Sequence, residues 1–313
     1  MRDVLRRLVA GELSEEQAVA ELRRLQLDEL GGRAKLDLGR FMRRGIPEVV
    51  LAIGKAPEDA ARLAVSMAEQ QGQGLISRMS EAHKSALRDA AKAAGMQVIG
   101  YASSARVVRA GFAPEALDCK VGILTAGTSD LPAAEEAQMV VEACGVEVRL
   151  HADLGVAGLH RFVGPLASTL EWGAEVIIVA AGMDGVLPGL VSGLIDVPVI
   201  GLPVSTGYGR GGAGEAALTT MLQSCSTGLV VVNIDNGVGA GAAAVLIAQR
   251  RFRGRNEAAI AKTSAATSSA PTTKGKTARH MSTPPGKAKV SPSISTTTKT
   301  TASSHGKPRR RRP

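Results

Sequence analysis

Aromatic side chains are nearly absent from this chain of 313 residues: one Trp, two Tyr and four Phe make up 2% of it. So few rings exclude a broad stacking platform of the kind that single-stranded nucleic-acid binders build. Cysteine is equally scarce, and Cys119, Cys144 and Cys225 form an odd set with no Cys-x-x-Cys pair. That pattern argues against a disulfide framework and a structural zinc site, and for a reducing compartment. Long apolar runs are also missing. Stretches such as Val176–Ala181 fall far short of the roughly 20 residues of a membrane span, and no secretory apolar region opens the chain. A soluble, cytoplasmic protein that does not engage membranes is expected.

Acidic residues are lacking in one place only. Residues 251–313 carry 15 Lys and Arg against the single Glu257, a net of +14, whereas residues 1–250 carry 23 against 28, a net of −5. The overall charge of +9 is therefore a property of the tail. Residues 256–313 also hold 20 Ser and Thr but four residues in all from Ile, Leu, Val, Met and Phe. Too little apolar surface is available there to offset chain entropy, so 253–313 is expected to be a disordered extension. Its Lys307-Pro308-Arg309-Arg310-Arg311-Arg312 end would associate with nucleic acid only weakly, through counterion release, or would simply aid solubility.

What is present is a core of small apolar residues: 44% hydrophobic residues with 36 glycines, a composition that suits helices packed closely on a parallel sheet. The N-terminus reads as helices, with Ser14 and Gln17 forming a capping box and the apolar face running on through Leu22, Leu25 and Leu30. Strands near 49–52, 74–78 and 97–102 with helices between them make an N-terminal α/β domain, residues 1–117. From 118 to 252, five apolar strands (121–126, 146–151, 175–181, 197–202, 229–234) alternate with helices. This is the pattern of a flavodoxin-like three-layer α/β/α sandwich with a parallel sheet in the order 2-1-3-4-5, in which ligands sit beyond the carboxyl ends of the strands.

The strand-end loops are where the chemistry-bearing residues fall. Gly127-Thr128-Ser129-Asp130 makes either an anion site at a helix start or a plain helix cap. Asp153, Gly155, Gly158, His160 and Arg161 offer a carboxylate for hydroxyls and cations for phosphate, with a structural role for His160 as the alternative. In Gly182-Met183-Asp184 the acid is either a cap or a partly desolvated general base. The fourth loop carries a Gly-rich string, Gly207-Tyr208-Gly209-Arg210-Gly211-Gly212, which follows the wrong strand for a dinucleotide fingerprint. Cys225, flanked by Ser224, Ser226, Thr227 and Gly228 at a helix-to-strand junction, is the one cysteine placed for an exposed thiolate. Nothing has the spacing of a metal site held by protein side chains alone.

Together, Gly127-Thr128-Ser129-Asp130, the strand Val176-Ile177-Ile178-Val179-Ala180, Leu187-Pro188-Gly189 and Pro198-Val199-Ile200-Gly201-Leu202-Pro203 resemble the aminoimidazole ribonucleotide carboxylase (PurE-type) fold. The Leu36-Asp37 to Gly54-Lys55 region, Asp153 to Arg161, Ser224-Cys225 and Asn233-Ile234-Asp235-Asn236-Gly237 resemble the LarB branch. LarB proteins are pyridinium-3,5-biscarboxylic acid mononucleotide synthases of nickel-pincer cofactor biosynthesis. That resemblance implies carboxylation of nicotinic acid adenine dinucleotide by CO2 and hydrolysis of its phosphoanhydride to release AMP. It implies Cys225 as nucleophile and Asp184 in the place of an acid that is commonly Glu. The substrate would be held by residues 127–130, Asp153, Gly155, Gly158, His160, Arg161, Gly182, Met183, Asn233 and Asp235. Mg2+ on the substrate's phosphates, no organic cofactor and a homo-oligomer, an octamer by family analogy, are further implications. An aminoimidazole ribonucleotide carboxylase or mutase is the rival reading, and a nucleic-acid-associated protein working through its tail is a rival of another class.

Overall fold

The computed structural model describes residues 2–24, 27–30, 34–37 and 39–268. The chain opens with α1 (Arg2–Val9) and α2 (Glu15–Arg24), a hairpin of β1 (Leu27–Leu30) and β2 (Ala34–Asp37), and α3 (Arg40–Arg44). The capping box is formed: the Gln17 amide donates to Ser14 Oγ at 3.2 Å, and the Ser14 amide donates to Gln17 Oε1 at 2.9 Å. Leu30 lies in an antiparallel strand, paired with Ala34, and does not extend the preceding helix.

The first sheet contains β3 (Val49–Leu51), β4 (Gln73–Ser77), β5 (Gln97–Gly100) and β6 (Ala105–Val108) in the order β3-β4-β6-β5. The sequence pattern shows no strand at β6. β3 is parallel to β4, and β6 is antiparallel to both of its neighbours. One face is packed by α4 (Pro57–Gln71) and α5 (Glu81–Ala93) around Ile76, Leu87 and Val107. Its other face meets the second sheet's helix layer.

That second sheet is all parallel: β7 (Leu117–Thr125), β8 (Val146–His151), β9 (Val176–Ala181), β10 (Val199–Pro203) and β11 (Leu229–Val231). Its order, β11-β10-β9-β7-β8, is the flavodoxin-like 2-1-3-4-5 topology that the strand-helix alternation predicts. Alternation along β9 divides the core in two. Val176 and Ile178 face α6 (Leu131–Ala143) and α10 (Gly237–Ser268), while Ile177 and Val179 face α7 (His160–Glu171), α8 (Val186–Ser192) and α9 (Glu215–Leu222). A side chain at Gly241 would put its Cβ 2.6 Å from the Ala137 carbonyl oxygen, so the α6–α10 crossing requires glycine there.

Helix α6 is buried between the two sheets, which explains why apolar residues surround it on several sides: Ala134, Ala137, Met139, Val140 and Val141 are all fully covered. Alternate residues of β4 reach it across the interface. Leu75 joins the α6 core, Gln73 donates to the Ala143 carbonyl at 2.7 Å, and Ser77 donates to Glu136.

The C-terminal boundary differs from the sequence reading. Residues 253–268, expected to be disordered, continue α10 to Ser268. The stretch is rich in Ala and other helix formers, and the first proline beyond Phe252 is Pro271, so no helix breaker of that kind intervenes. The remaining tail, including the arginine run, lies outside the described residues. No helix among the described residues is long and apolar enough to cross a membrane.

Candidate active site

Four loops meet at the carboxyl end of the parallel sheet. After β7, residues 128–130 form a 3-10 turn in which Asp130, 3% exposed, accepts the Gly127 amide on Oδ2 at 2.9 Å. Its Oδ1 accepts the Thr206 hydroxyl at 2.8 Å, from the loop after β10. Burial pushes the Asp130 carboxyl above the usual carboxylate range. Hydrogen bonds from Gly127, Thr206 and Gly182 pull it back, and the nearby Asp235 charge pushes it up again. Gly182, after β9, leaves the room this cluster needs: a Cβ there would stand 2.4 Å from Thr206 Oγ1 and 3.2 Å from Asp130 Oδ1. Asp235, after β11, accepts the Ser205 amide at 2.9 Å. Asp130 and Asp235 thus tie loops together, whereas Thr128, Ser129 and Asn233 are exposed. Thr206 was not among the expected site residues. The available signal was its place just beyond the carboxyl end of a buried strand, which the glycine string beside it obscured.

The loop after β8 adjoins the first. A Cβ on Gly155 would lie 3.1 Å from the Ala126 carbonyl. Asp153 takes a left-handed conformation, φ 62°, and pairs with Arg161 Nη1 at 3.1 Å. Both partners are substantially exposed, so the pair is screened and Arg161 remains available to an anion. His160 and Arg161 flank Gly158 at the exposed start of α7, where unpaired helix amides add to the attraction for negative charge.

The expected catalytic pair falls elsewhere. Asp184 is exposed just before α8, and its Oδ1 accepts the Val186 amide at 3.5 Å as a weak cap. Met183 beside it, φ 47° and about half exposed, lies under Gly207 of the β10 loop. Cys225 is exposed and lies before β11, at the amino end of the sheet. It joins the Asp184 region through a cleft of about 660 Å³ running between α8 and α9, lined by Gly185, Gly189 and Gly193 on one wall and by Thr219, Ser224 and Cys225 on the other. The glycines let the 224–226 turn approach α8: a Cβ on Gly189 would be 2.8 Å from Ser224 Oγ, and Ser226 donates to the Gly189 carbonyl at 2.7 Å. At 1.5 Å per residue, Asp184 and the α8 turns beside Cys225 are roughly 10 Å apart along the helix.

The other thiols are buried. Cys144 faces the Gly45 carbonyl, and burial pushes its pKa up to about 12. Cys119 lies against the Ala248 carbonyl at 3.5 Å. Neither is accessible as a nucleophile. Among the described residues, no group of three or more His, Cys, Asp and Glu could hold a metal ion.

The AIR carboxylase family matches residues 120–268, and the LarB/PurE-like N-terminal domain matches residues 27–111. An uncharacterized protein of Methanocaldococcus jannaschii is 38% identical over 254 residues, 80% of this chain and 97% of that protein. The chain belongs to the LarB/PurE-like family. Other relatives match a smaller share of the chain. The N5-carboxyaminoimidazole ribonucleotide mutase of Thermotoga maritima is 30% identical over 131 residues, 41% of this chain and 74% of the mutase. The crystal structure of a PurE2 variant from Treponema denticola, 19% identical, covers 47% of this LarB/PurE-like chain and 98% of its own, with a TM-score of 0.35.

Proposed function

We propose that this carboxylase-family enzyme carboxylates the pyridinium ring of nicotinic acid adenine dinucleotide with CO2 and hydrolyses the phosphoanhydride, giving pyridinium-3,5-biscarboxylic acid mononucleotide and AMP. The observation that carries the reading is the exposed Cys225 in a glycine-walled cleft, on a chain that joins a LarB/PurE-like N-terminal domain to an AIR carboxylase domain. A pyridinium ring is electrophilic and cannot attack CO2. Addition of the Cys225 thiolate makes a neutral dihydropyridine, and its enamine carbon bonds to CO2, leaving an iminium. Asp184, once movement of the 182–185 loop closes the roughly 10 Å that separate it from the Cys225 end of the cleft, takes the proton from that carbon, the C–S bond breaks, and the thiolate leaves with the bonding pair as the aromatic cation is restored.

In this reading the glycine wall of α8 lets a planar ring lie close to the backbone, in place of the missing aromatic platform. Ser129, His160 and Arg161 at the carboxyl end hold ribose and phosphates. Mg2+ would neutralise phosphate charge during anhydride hydrolysis. Leu194, Leu222 and Val230 are exposed near the cleft, and a second copy of the chain covering them would suit the homo-oligomer implied by the resemblance.

The test is incubation of the full chain with nicotinic acid adenine dinucleotide, bicarbonate and Mg2+. Release of AMP with a ring-carboxylated mononucleotide is expected. Turnover of carboxyaminoimidazole ribonucleotide instead, the reading favoured by the mutase relatives, would overturn the proposal.

A further inference from the structure

Among the described residues, one side chain of the N-terminal domain bonds directly to the loop after β11. Arg78, directly after β4, donates from Nη2 to the backbone carbonyl of Asp235, and its Nε lies 3.8 Å from Glu136 Oε1. Arg78 holds a left-handed conformation, φ 56°, and so does Asp235. Asp tolerates that region, but Arg rarely enters it, and glycine would serve if only the turn mattered. A side chain kept at a strained position marks a site where that side chain is used. Asp235 in turn accepts the Ser205 amide and donates its own amide to the Pro203 carbonyl. Ser205 adjoins Thr206, whose hydroxyl binds the buried Asp130. One run of contacts therefore links Arg78, the β11 loop, the β10 loop and the β7 loop.

We propose that the N-terminal domain is a working part of the site, and that Arg78 is a positioning residue clamping the loops after β10 and β11. General docking of the two domains does not require this clamp. Ser77 to Glu136, Gln73 to the Ala143 carbonyl and Tyr101 to Glu142 already join them. Only Arg78 among these contacts touches Asp235.

The structural half stands on geometry, whereas the kinetic half rests on the proposed dinucleotide substrate, so the experiment has two arms. Hydrogen exchange on the full chain without substrate is compared among wild type, Arg78→Ala, Arg78→Lys and Ser77→Ala. Arg78→Ala is expected to speed exchange about tenfold in peptides spanning 203–207 and 233–238, while strands 121–125 and 176–180 stay protected. Arg78→Lys, which keeps one donor, should fall between, and Ser77→Ala should leave those loops as in wild type. Unchanged loops in Arg78→Ala, or equal loosening in Ser77→Ala, overturn the clamp. Should Arg78→Ala not fold, wild-type exchange in Arg78→Lys overturns it. In the second arm, kcat/KM for nicotinic acid adenine dinucleotide should drop about tenfold in Arg78→Ala, chiefly through KM, and stay near wild type in Ser77→Ala. A wild type that turns over no dinucleotide removes the substrate reading and leaves the exchange result to decide the clamp.

Discussion

At the carboxyl end of the parallel sheet, the polar side chains are committed to one another: Asp130 is buried beneath Gly127 and Thr206, and Asp235 holds the Ser205 amide. At the amino end, the 224–226 turn leaves Cys225 exposed to a cleft. A buried carboxylate that spends its lone pairs on loop amides and a hydroxyl maintains shape, and removing its donors costs the full desolvation of the group. An exposed thiol costs the fold little and is available for bond making. The difference teaches that groups alike in sequence, each a polar side chain two or three residues from a glycine, divide according to burial into ties that hold loops and groups left accessible.

The sharpest test of that division is Cys225→Ala. Dinucleotide carboxylation should fall by more than about 10³-fold, with unfolding stability within about 0.5 kcal/mol of wild type by urea denaturation; a large loss of stability would break the comparison. Asp184→Asn should lower carboxylation about 10²- to 10⁴-fold. Asp184→Glu, with its longer reach toward the α8 cleft, should retain or raise the rate, and a rate equal to that of Asn would remove the base assignment. Gly241→Val should cost about 1–3 kcal/mol by forcing α10 from α6. At the scaffold end, Thr206→Val should cost about 1–3 kcal/mol of stability by leaving the buried Asp130 short of a donor; an effect on rate alone would blur the contrast.

The smallest expected effect concerns Cys144. Its folded thiol titrates near 12 against an ordinary 9.0, so below the ordinary value both states are neutral and the full stability is present. As pH rises through that window, the unfolded chain loses its proton first and stability declines, by a little under 1 kcal/mol at about pH 9.5. A Cys144→Ala chain should lack that slope. Alkylation of the native wild type should meanwhile label Cys225 and spare Cys119 and Cys144.

Much of this was readable from the residues. β-branched runs at helix-length spacing led directly to five parallel strands and their order, because parallel strands need crossovers and crossovers have one hand. The three cysteines also separated by their flanks, Cys225 among hydroxyls and glycine and the others without such neighbours on both sides. The strand β6 was hidden: Ala105–Val108 is four residues long and includes Arg106, whose cation is buried against Gln73. Likewise the end of α10 was obscured because the change in composition at Phe252 masks the local helix propensity that follows it.

By itself the sequence determined the class of fold, the polarity of the sheet and the inventory of reactive groups, since periodicity and residue chemistry are local properties. Tertiary structure alone decided which of those groups are spent and which are free. Asp130 is a tie because Thr206, 76 residues away, donates to it. Cys225 shares a cleft with the Asp184 region because the α8 glycines admit the 224–226 turn. Arg78 meets Asp235 because α6 is sandwiched between two sheets. Each of these depends on distant segments sharing a buried boundary, where desolvation makes every polar contact count.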